Sequence, residues 1–368
     1  MSKIQPLKIS YKELRDGSYK DAYISQDEKF DGVASMTSFL RDALCACPCN
    51  NDDTKTAMYL MIDEGKEVGR CYMYGVKLKT GDDICEGQVF FGLEALEEYR
   101  NAGVGTSLLM YPLANKEYDY VLIGGMTTMV VPMYRKMKYH IFEVPQFVKI
   151  NNSRYFLIPL GLKGGLLKLS AGLCNGVIRF IDIPNHIKRN KLKKKFVVKK
   201  ETVVPEWAGE LATNDGHKYM ELHDRGWLQW NLDYNNHGFK EDIQSFYTVS
   251  DKNGKPLGFF MTNERLKKTE GRIKDSIRAK LLEWGSYDYS VLSEADINIL
   301  ALSTFSSKVD LIMSIASESE TVKKLKRMGY IQRGMFPVGI RDKKNVLKDA
   351  GDQNLWRLRF GYTNTIIY

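Results

Sequence analysis

The most informative motif in this sequence lies in Tyr99-Arg100-Asn101-Ala102-Gly103-Val104-Gly105-Thr106-Ser107-Leu108-Leu109. An apolar, strand-like run covers residues 89–93 before it, and an apolar, helix-like run follows over residues 108–113. A strand, a glycine-rich turn and a helix N-terminus together form an anion site, because the first turn of a helix carries unpaired N–H groups and the positive end of its dipole. The motif therefore predicts a phosphate-binding loop.

Spacing excludes two better-known phosphate loops. The Walker loop ends in Gly-Lys-Ser/Thr, and no lysine stands at that place; the dinucleotide fingerprint Gly-x-Gly-x-x-Gly has a different spacing. The six positions Arg-x-x-Gly-x-Gly are also compatible with an ordinary strand–turn–helix in which the glycines only make the turn.

Composition indicates a globular chain with a preference for anionic partners. The 368 residues are 43% hydrophobic and 27% charged, the net charge is +9 and the pI is about 9.0. Much of the positive charge lies in residues 188–200, which we interpret as a solvated linker rather than a nucleic-acid site, since no stacking-aromatic motif accompanies it.

The sequence predicts a cytoplasmic protein. It shows no apolar leader and no uninterrupted apolar run of membrane-spanning length. The six cysteines are expected to be reduced thiols, because Cys45, Cys47 and Cys49 lack Cys-x-x-Cys spacing and have no histidine nearby. We predict no metal site.

The order of predicted elements in the first half is typical of an α+β fold. A helix is predicted over residues 31–45, three antiparallel strands over 56–62, 67–77 and 86–93, and a helix after the glycine loop. A strand at 120–123, a helix over 127–137 capped by Thr127, and closing strands at 139–149 and 154–160 complete it. This is a mixed sheet rather than a run of βαβ units.

Two blocks in this order resemble the GNAT superfamily of N-acetyltransferases. The first is Arg100-x-x-Gly103-x-Gly105, and the second is Pro132-Met133-Tyr134-Arg135-Lys136-Met137-Lys138-Tyr139, with Lys138 where the family usually has glycine. The resemblance covers residues 30–160. It implies that the loop binds the pyrophosphate of acetyl-CoA, a co-substrate, through backbone N–H groups of Arg100, Asn101, Ala102, Gly103, Val104, Gly105 and Thr106.

The resemblance also implies catalytic roles. The tyrosine matching Tyr134 often protonates the departing thiolate of coenzyme A, and we favour this role over the alternative of a core aromatic on a helix face. A carboxylate on the strand before the loop often deprotonates the amine. Glu94 is the best candidate for this base, ahead of Glu86, Glu97 and Glu98.

The second half resembles a degenerate copy of the first. A strand–turn–strand is predicted over residues 246–262, a buried strand at 311–316, and a helix at 320–330 whose Gly329-Tyr330 end parallels Lys138-Tyr139. No Arg-x-x-Gly-x-Gly loop precedes it. We therefore expect two GNAT-like domains, each a mixed, mostly antiparallel twisted sheet flanked by helices: 1–160 binding acyl-CoA, 161–205 as a basic connector, and 206–368 without a coenzyme A site.

The connector allows two interpretations. Its leucines between 166 and 173 predict an apolar helix, which we expect to pack between the two domains; as an amphipathic helix with a basic tail it would instead give peripheral membrane contact through 161–200.

Three functions fit these observations. The first is an N-acetyltransferase acting on a small-molecule amine, with a nucleotide-linked amino sugar of surface polysaccharide biosynthesis as the preferred acceptor. The second is a FemAB-like aminoacyltransferase using aminoacyl-tRNA, which the intact Arg100–Gly105 loop argues against. The third is a non-catalytic protein that binds acyl-CoA.

Overall fold

The computed structural model describes residues 4–19, 36, 38–234, 242–270 and 273–361. The strands of this part of the chain, in order, are β1 Gln5–Ser10, β2 Thr56–Asp63, β3 Lys66–Thr80, β4 Asp83–Ala95, β5 Tyr120–Gly124, β6 His140–Ile150, β7 Val197–Glu201, β8 Tyr219–Glu221, β9 Ile243–Ser250, β10 Pro256–Glu270, β11 Ile273–Ser286, β12 Leu311–Ile315 and β13 Ile331–Asp342.

Helices pack on both faces of these strands. They are α1 Tyr11–Asp16, α2 Ser38–Ala46, α3 Val104–Ala114, α4 Val131–Lys136, α5 Arg154–Leu157, α6 Gly164–Ile181, α7 Ile183–Lys195, α8 Glu206–Thr213, α9 Arg225–Asp233, α10 Glu294–Leu302 and α11 Ser319–Arg327, with 3-10 helices at Glu97–Ala102 and Gln353–Leu355.

The strands of the described residues form one sheet whose order is symmetric about its centre. The order is β1-β2-β3-β4-β5-β13-β6-β12-β11-β10-β9-β7, with β8 paired to the end of β3. Reading the order outward from the β13–β6 pair, β5 corresponds to β12, β4 to β11, and so on, while β8 has no counterpart. The ladder types obey the same symmetry, because β4–β5 and β11–β12 are both parallel and the other ladders are antiparallel.

The two halves exchange strands at the centre of the sheet. β13, from the end of the chain, lies between β5 and β6, while β6 pairs with β12 of the second half. The strand predicted at 154–160 is therefore wrong. Those residues form α5 and a turn, since β13 already occupies the place beside β5 that a local closing strand would take.

Two helix predictions need correction. The helix predicted over 127–137 begins later, with Val130 as N-cap, so Thr127 is not the cap; Pro132 lies at the helix start, where its missing N–H costs nothing. The helix predicted over 31–45 is described as Ser38–Ala46, and residues 31–35 and 37 lie outside the described part of the chain.

The hydrophobic core ties the halves together. One cluster includes Tyr74 and Leu122 from the first half and Trp227, Phe259 and Trp356 from the second. A separate cluster packs α3 and α4 on β2–β5, and another packs α10 and α11 on β10–β12. Because burial of apolar surface is the main favourable term in folding, the shared cluster joins both halves into one body.

The connector buries Leu192, Phe196 and Val204, but α6 leaves most of its apolar side chains exposed. Leu166, Leu169 and Leu173 of α6 are 60%, 65% and 68% exposed, contrary to the packed helix expected from the sequence. Within the described residues, no helix is both long enough and apolar enough to cross a membrane.

Candidate functional site

The glycine loop lies at the end of β4, where the sequence predicted it. After β4 the chain makes the 3-10 helix that contains Arg100, Asn101 and Ala102, and α3 then begins at once. Gly103 joins the two helices with φ +79°, a left-handed conformation that side chains with a Cβ adopt only at a cost. This explains the first glycine of the motif by backbone geometry alone.

Contacts to β2 and β3 hold the loop in place. The Leu96 N–H donates to the Val68 carbonyl at 3.0 Å, and the Tyr99 hydroxyl bonds to the Asp63 carboxylate at 2.8 Å. Both contacts precede Gly103, and they fix the 3-10 helix that leads into α3 to the sheet.

Gly69 of β3 allows α3 to lie close to the sheet. A Cβ built on Gly69 would be 2.5 Å from Val104 Cγ1 and 3.1 Å from Leu108 Cδ1. A side chain at Gly69 would therefore push the first turn of α3 away from the sheet.

The N-terminus of α3 carries unused N–H groups. No side chain caps it, its first turn contains no acidic residue, and its first backbone bond within the helix runs from the Ser107 N–H to the Gly103 carbonyl at 2.9 Å. The N–H groups of Val104, Gly105 and Thr106 precede that bond. They lie at the positive end of the helix dipole, an arrangement that suits an anion.

Gly105 has no structural requirement of its own. It lies inside α3 without a positive φ, and a Cβ there would meet no protein atom within 4 Å. Glycine inside a helix costs about 1 kcal/mol relative to alanine. Because the protein itself neither fills nor strains this position, a ligand has room to approach the helix backbone closely here.

β4 and β5 stop pairing near the loop. Their parallel ladder covers only Gly87–Val89 against Tyr120–Leu122, although both strands are described beyond it and β4 continues to Ala95. β4 also carries a bulge here, with Gly92 at φ +61° over the ring of Tyr72. Such a divergence exposes backbone groups of the two strands to a ligand that enters between them.

Tyr134 lies on α4 beside this divergence. Its side chain is 3% exposed and packs against Phe90 of β4, with ring centroids 6.4 Å apart, and edge-on against Tyr139, at 5.2 Å. The structure therefore brings the second predicted block against the strand that leads into the loop.

The predicted base Glu94 belongs to a polar cluster on β3 and β4. Glu94 Oε2 accepts a hydrogen bond from Arg70 Nη2 at 2.7 Å, and its side chain is about half exposed. Glu67 lies beside this pair and is only 6% exposed. Burial raises the pKa of the Glu67 carboxyl to about 7, with Arg70 lowering and Glu94 raising it.

This cluster has unsatisfied polar atoms. Among the described residues, Arg70 Nε and Nη1 and Glu67 Oε1 are buried without a hydrogen-bond partner. Buried polar groups without partners are rare and often mark a functional site. Sequence reasoning missed Glu67 and Arg70, because neither belongs to a motif and bulges at Val68 and Gly92 bring them to Glu94.

The other proposed bases are less suitable. Glu86 lies at the opposite end of β4 and pairs with Lys55 at 2.6 Å, with 71% of its side chain exposed. Glu97 and Glu98 lie in the 3-10 helix, where Glu98 is 3.5 Å from Lys66.

The corresponding place in the second half has different chemistry. α10 follows β11 as α3 follows β4, but Ser293 caps it, Asp296 completes a capping box, and Glu294 adds a second carboxylate to the first turn. A cleft of about 800 Å³ adjoins this end, with Glu294, Glu318 and Arg359 among its lining residues. β11, which leads into α10, is parallel to β12, and β4, which leads into the glycine loop, is parallel to β5. Because β12 is antiparallel to β5, the cleft lies at the sheet edge opposite the glycine loop.

Comparison with solved structures identifies the fold. The chain matches Saccharomyces cerevisiae N-myristoyltransferase with bound myristoyl-CoA at a TM-score of 0.55 and 12% identity, over 93% of this chain and 79% of the yeast protein. A conserved Enterococcus faecalis protein of unknown function gives 0.54 at 10% identity, over 94% and 74%. A GCN5-related N-acetyltransferase from Anabaena variabilis gives 0.51 at 11%, over 93% and 73%.

No protein-family model matches the sequence, and no curated protein matches it significantly. At these identities the structural similarity establishes the fold. The chain has the GNAT fold in two halves, each a mixed, mostly antiparallel sheet flanked by helices, which confirms the fold class predicted from the sequence.

Proposed function

We propose that this protein is an N-acyltransferase that moves an acyl group from coenzyme A to an amine. The observation that carries the proposal is the uncapped first turn of α3, with free space beside the Gly105 backbone, next to the divergence of β4 and β5. The resemblance to GNAT enzymes assigns the coenzyme A pyrophosphate to the backbone N–H groups of this loop. A GNAT fold with a helix start suited to an anion supports the same assignment.

We propose one coenzyme A site in each chain, with the second half as a degenerate copy. The symmetric strand order supports an origin from two copies, as do Lys138 and Gly329, which follow α4 and α11 with φ +61° and φ +83°. The cap and carboxylates of α10 argue against a second site, because they use its free N–H groups and repel phosphate. The domain boundaries at 160 and 206 remain predictions, since β6 and β13 cross between the halves.

The polar cluster supplies the base in this proposal. The amine nitrogen attacks the thioester carbonyl carbon, and its proton passes to the carboxylate pair of Glu94 and Glu67. A carboxyl with a pKa of about 7 suits this task, because it accepts a proton at neutral pH and is basic enough to remove one. Arg70 orients the Glu94 carboxylate, and its positive charge limits the repulsion between Glu94 and Glu67.

Tyr134 supplies the acid. When the carbon–sulfur bond breaks, the coenzyme A thiolate leaves, and the Tyr134 hydroxyl donates the proton that converts it to a thiol. Packing against Phe90 and Tyr139 fixes the ring, so that little rotational freedom is lost when the thioester binds.

We propose a nucleotide-linked amino sugar as the acceptor. The net charge of +9 supports an anionic acceptor of this kind. Other amines are alternatives that an acceptor panel separates, including the N-terminus of a peptide.

Calorimetry with acetyl-CoA tests the proposal. We expect binding by the native chain, loss of binding in Gly105→Glu, and normal binding in Gly176→Glu. Gly176 is a matched control, because it is also a helical glycine with no protein atom within 4 Å of a built Cβ. Absence of acetyl-CoA binding by the native chain, or equal binding by both variants, would contradict the site.

An assay of free thiol release over a panel of amines then tests the reaction. Turnover that falls in Tyr134→Phe supports the mechanism. Binding without turnover on any amine would instead indicate a non-catalytic acyl-CoA-binding protein, and salt-dependent binding of aminoacyl-tRNA would indicate the FemAB-like alternative.

A further inference from the structure

The helices α6 and α7 carry an apolar surface that the rest of the described chain leaves uncovered. We call it the apolar stripe. Its residues are Leu160, which precedes α6, and Leu166, Leu169, Leu173, Val177, Phe180, Ile181, Ile183 and Ile187 on the two helices, with exposures between 46% and 74%. So many exposed large apolar side chains on neighbouring helices are unusual for a soluble surface and mark an interaction site.

The stripe has the geometry of one helix face. At 100° per residue, the α6 residues from Leu166 to Ile181 that belong to it fall within roughly 120° of one another. The opposite face holds α6 to the protein: Ala171 is buried, its carbonyl accepts from Ser153 Oγ at 3.2 Å, and Asn175 Oδ1 accepts from the Ser153 N–H at 2.8 Å.

The helix pair is anchored firmly at its bend. Lys149 of β6 pairs with Asp182 at 2.8 Å and donates to the Met328 carbonyl at 2.8 Å, and Asn185 donates to the same carbonyl at 2.9 Å. The exposed stripe is therefore a fixed feature of the fold.

Positive charge surrounds the stripe. Residues 163–195 contain nine lysines and arginines and a single acidic residue, Asp182, which Lys149 already pairs. Six of the cations are on α7: Lys188, which pairs with Asp296 at 3.0 Å, and Arg189, Lys191, Lys193, Lys194 and Lys195. A partner that offers apolar depth under a layer of negative charge complements this surface, and an anionic lipid bilayer has both.

The sheet topology places this surface near the proposed active site. β6 is parallel to β4 and β5, since β13 is antiparallel to both β5 and β6, so β6 ends at the sheet edge that carries the glycine loop. The chain enters α5 and α6 from that edge. A membrane contact here would bring the loop side of the protein towards the bilayer.

We propose that α6 and α7 dock this protein on the surface of an anionic membrane, with the apolar stripe inserted at the level of the lipid headgroups. The helices lie in the plane of the interface and do not cross the bilayer, since α6 carries Lys168 and Arg179 and no helix of the described chain is apolar enough to span one.

Sedimentation with lipid vesicles tests the docking. The probes are vesicles of phosphatidylcholine alone and of phosphatidylcholine mixed with phosphatidylglycerol. The native chain is expected to bind the mixed vesicles and to bind more weakly at high salt. The double variant Leu169→Glu/Phe180→Glu should bind the mixed vesicles at least about tenfold more weakly than the native chain.

The control variant is Ile84→Glu/Val203→Glu. Both of these residues are exposed, at 68% and 61%, and lie outside the stripe, so the charge change is the same and vesicle binding should match the native chain. Unchanged melting temperatures and acetyl-CoA affinities of both variants would show that the fold is intact.

Three results would overturn the proposal. The first is equal vesicle binding by the stripe variant and the control. The second is a native chain that does not bind mixed vesicles and is a dimer by light scattering, whereas the stripe variant is a monomer. In that case a second copy of the chain covers the stripe. The third is salt-dependent binding of RNA by the native chain with no binding of either vesicle.

Discussion

Replacing Gly105 by alanine should stabilise the protein and weaken its affinity for acetyl-CoA. Alanine is favoured over glycine inside a helix by about 1 kcal/mol, and the new methyl group meets no protein atom within 4 Å. For a chain of 368 residues, about 1 kcal/mol corresponds to a rise in melting temperature of about 1 °C.

The same methyl group points into the space that we assign to the pyrophosphate. Displacing a bound group from a tight contact costs about 1–3 kcal/mol, which corresponds to a loss of affinity of roughly five- to 150-fold. A substitution that stabilises the protein and also weakens acetyl-CoA binding indicates a ligand site. In an ordinary turn, the same substitution would stabilise the protein and leave the affinity unchanged.

Differential scanning fluorimetry and calorimetry with acetyl-CoA measure the two effects on one preparation. Gly176→Ala is the matched control, since it should give the same rise in melting temperature with unchanged acetyl-CoA affinity. If Gly105→Ala lowers the melting temperature, the new methyl group meets protein atoms and the position is not open. If it stabilises the protein and leaves affinity unchanged, coenzyme A does not bind at this helix N-terminus.

Four further substitutions test particular contacts. Glu67→Gln should stabilise the protein at pH 8 but not at pH 4. The pKa of Glu67 is about 7 in the folded protein and 4.5 ordinarily, so the native protein loses stability as pH rises through this window and the carboxyl ionises. The loss is on the order of 3 kcal/mol, and denaturant titrations at the two pH values measure it. The same variant should lower kcat and remove a rise of kcat/KM near pH 7; a pH profile like that of the native chain would refute its role as base. Lys138→Gly should raise stability by about 1 kcal/mol, because Lys138 has φ +61°, a conformation that glycine adopts without strain. Gly329→Ala should lower stability by a similar amount, because Gly329 has φ +83°. If both substitutions move the melting temperature in the same direction, the two positions are not equivalent. Gly69→Ala should destabilise the protein by about 1–3 kcal/mol and weaken acetyl-CoA binding, since its Cβ would lie 2.5 Å from Val104; an unchanged melting temperature would show that α3 can shift freely.

Local features of the chain were predictable from its sequence. The strands around the turn at residues 63–66, the helix after Gly103 and the short strand at Tyr120–Gly124 all depend on residues close together in the chain. Alternation of apolar residues, turn glycines and the helical stripe are short-range signals, and the structure confirms them. The phosphate-loop motif is also local, so its position at a helix start was predictable.

The polar cluster beside the loop was only partly predictable. Glu94 was a candidate because it precedes the loop, but Glu67 and Arg70 carry no sequence signal. In a regular strand, residues three apart point to opposite faces, and the bulge at Val68 changes this alternation so that Glu67 and Arg70 lie together. Bulges depend on the fit between neighbouring strands, which no single strand sequence specifies.

The sequence by itself determined an α+β chain with two GNAT-like halves, a helix start suited to phosphate after Gly103, and a connector rich in leucine and lysine. Only the tertiary structure decided that β6 and β13 exchange places between the halves, that Glu67 is buried beside Arg70, and that Leu166, Leu169 and Leu173 of α6 face solvent. Each of these depends on long-range pairing or packing. An amphipathic pattern shows which side chains share a face, but what covers that face depends on the whole fold.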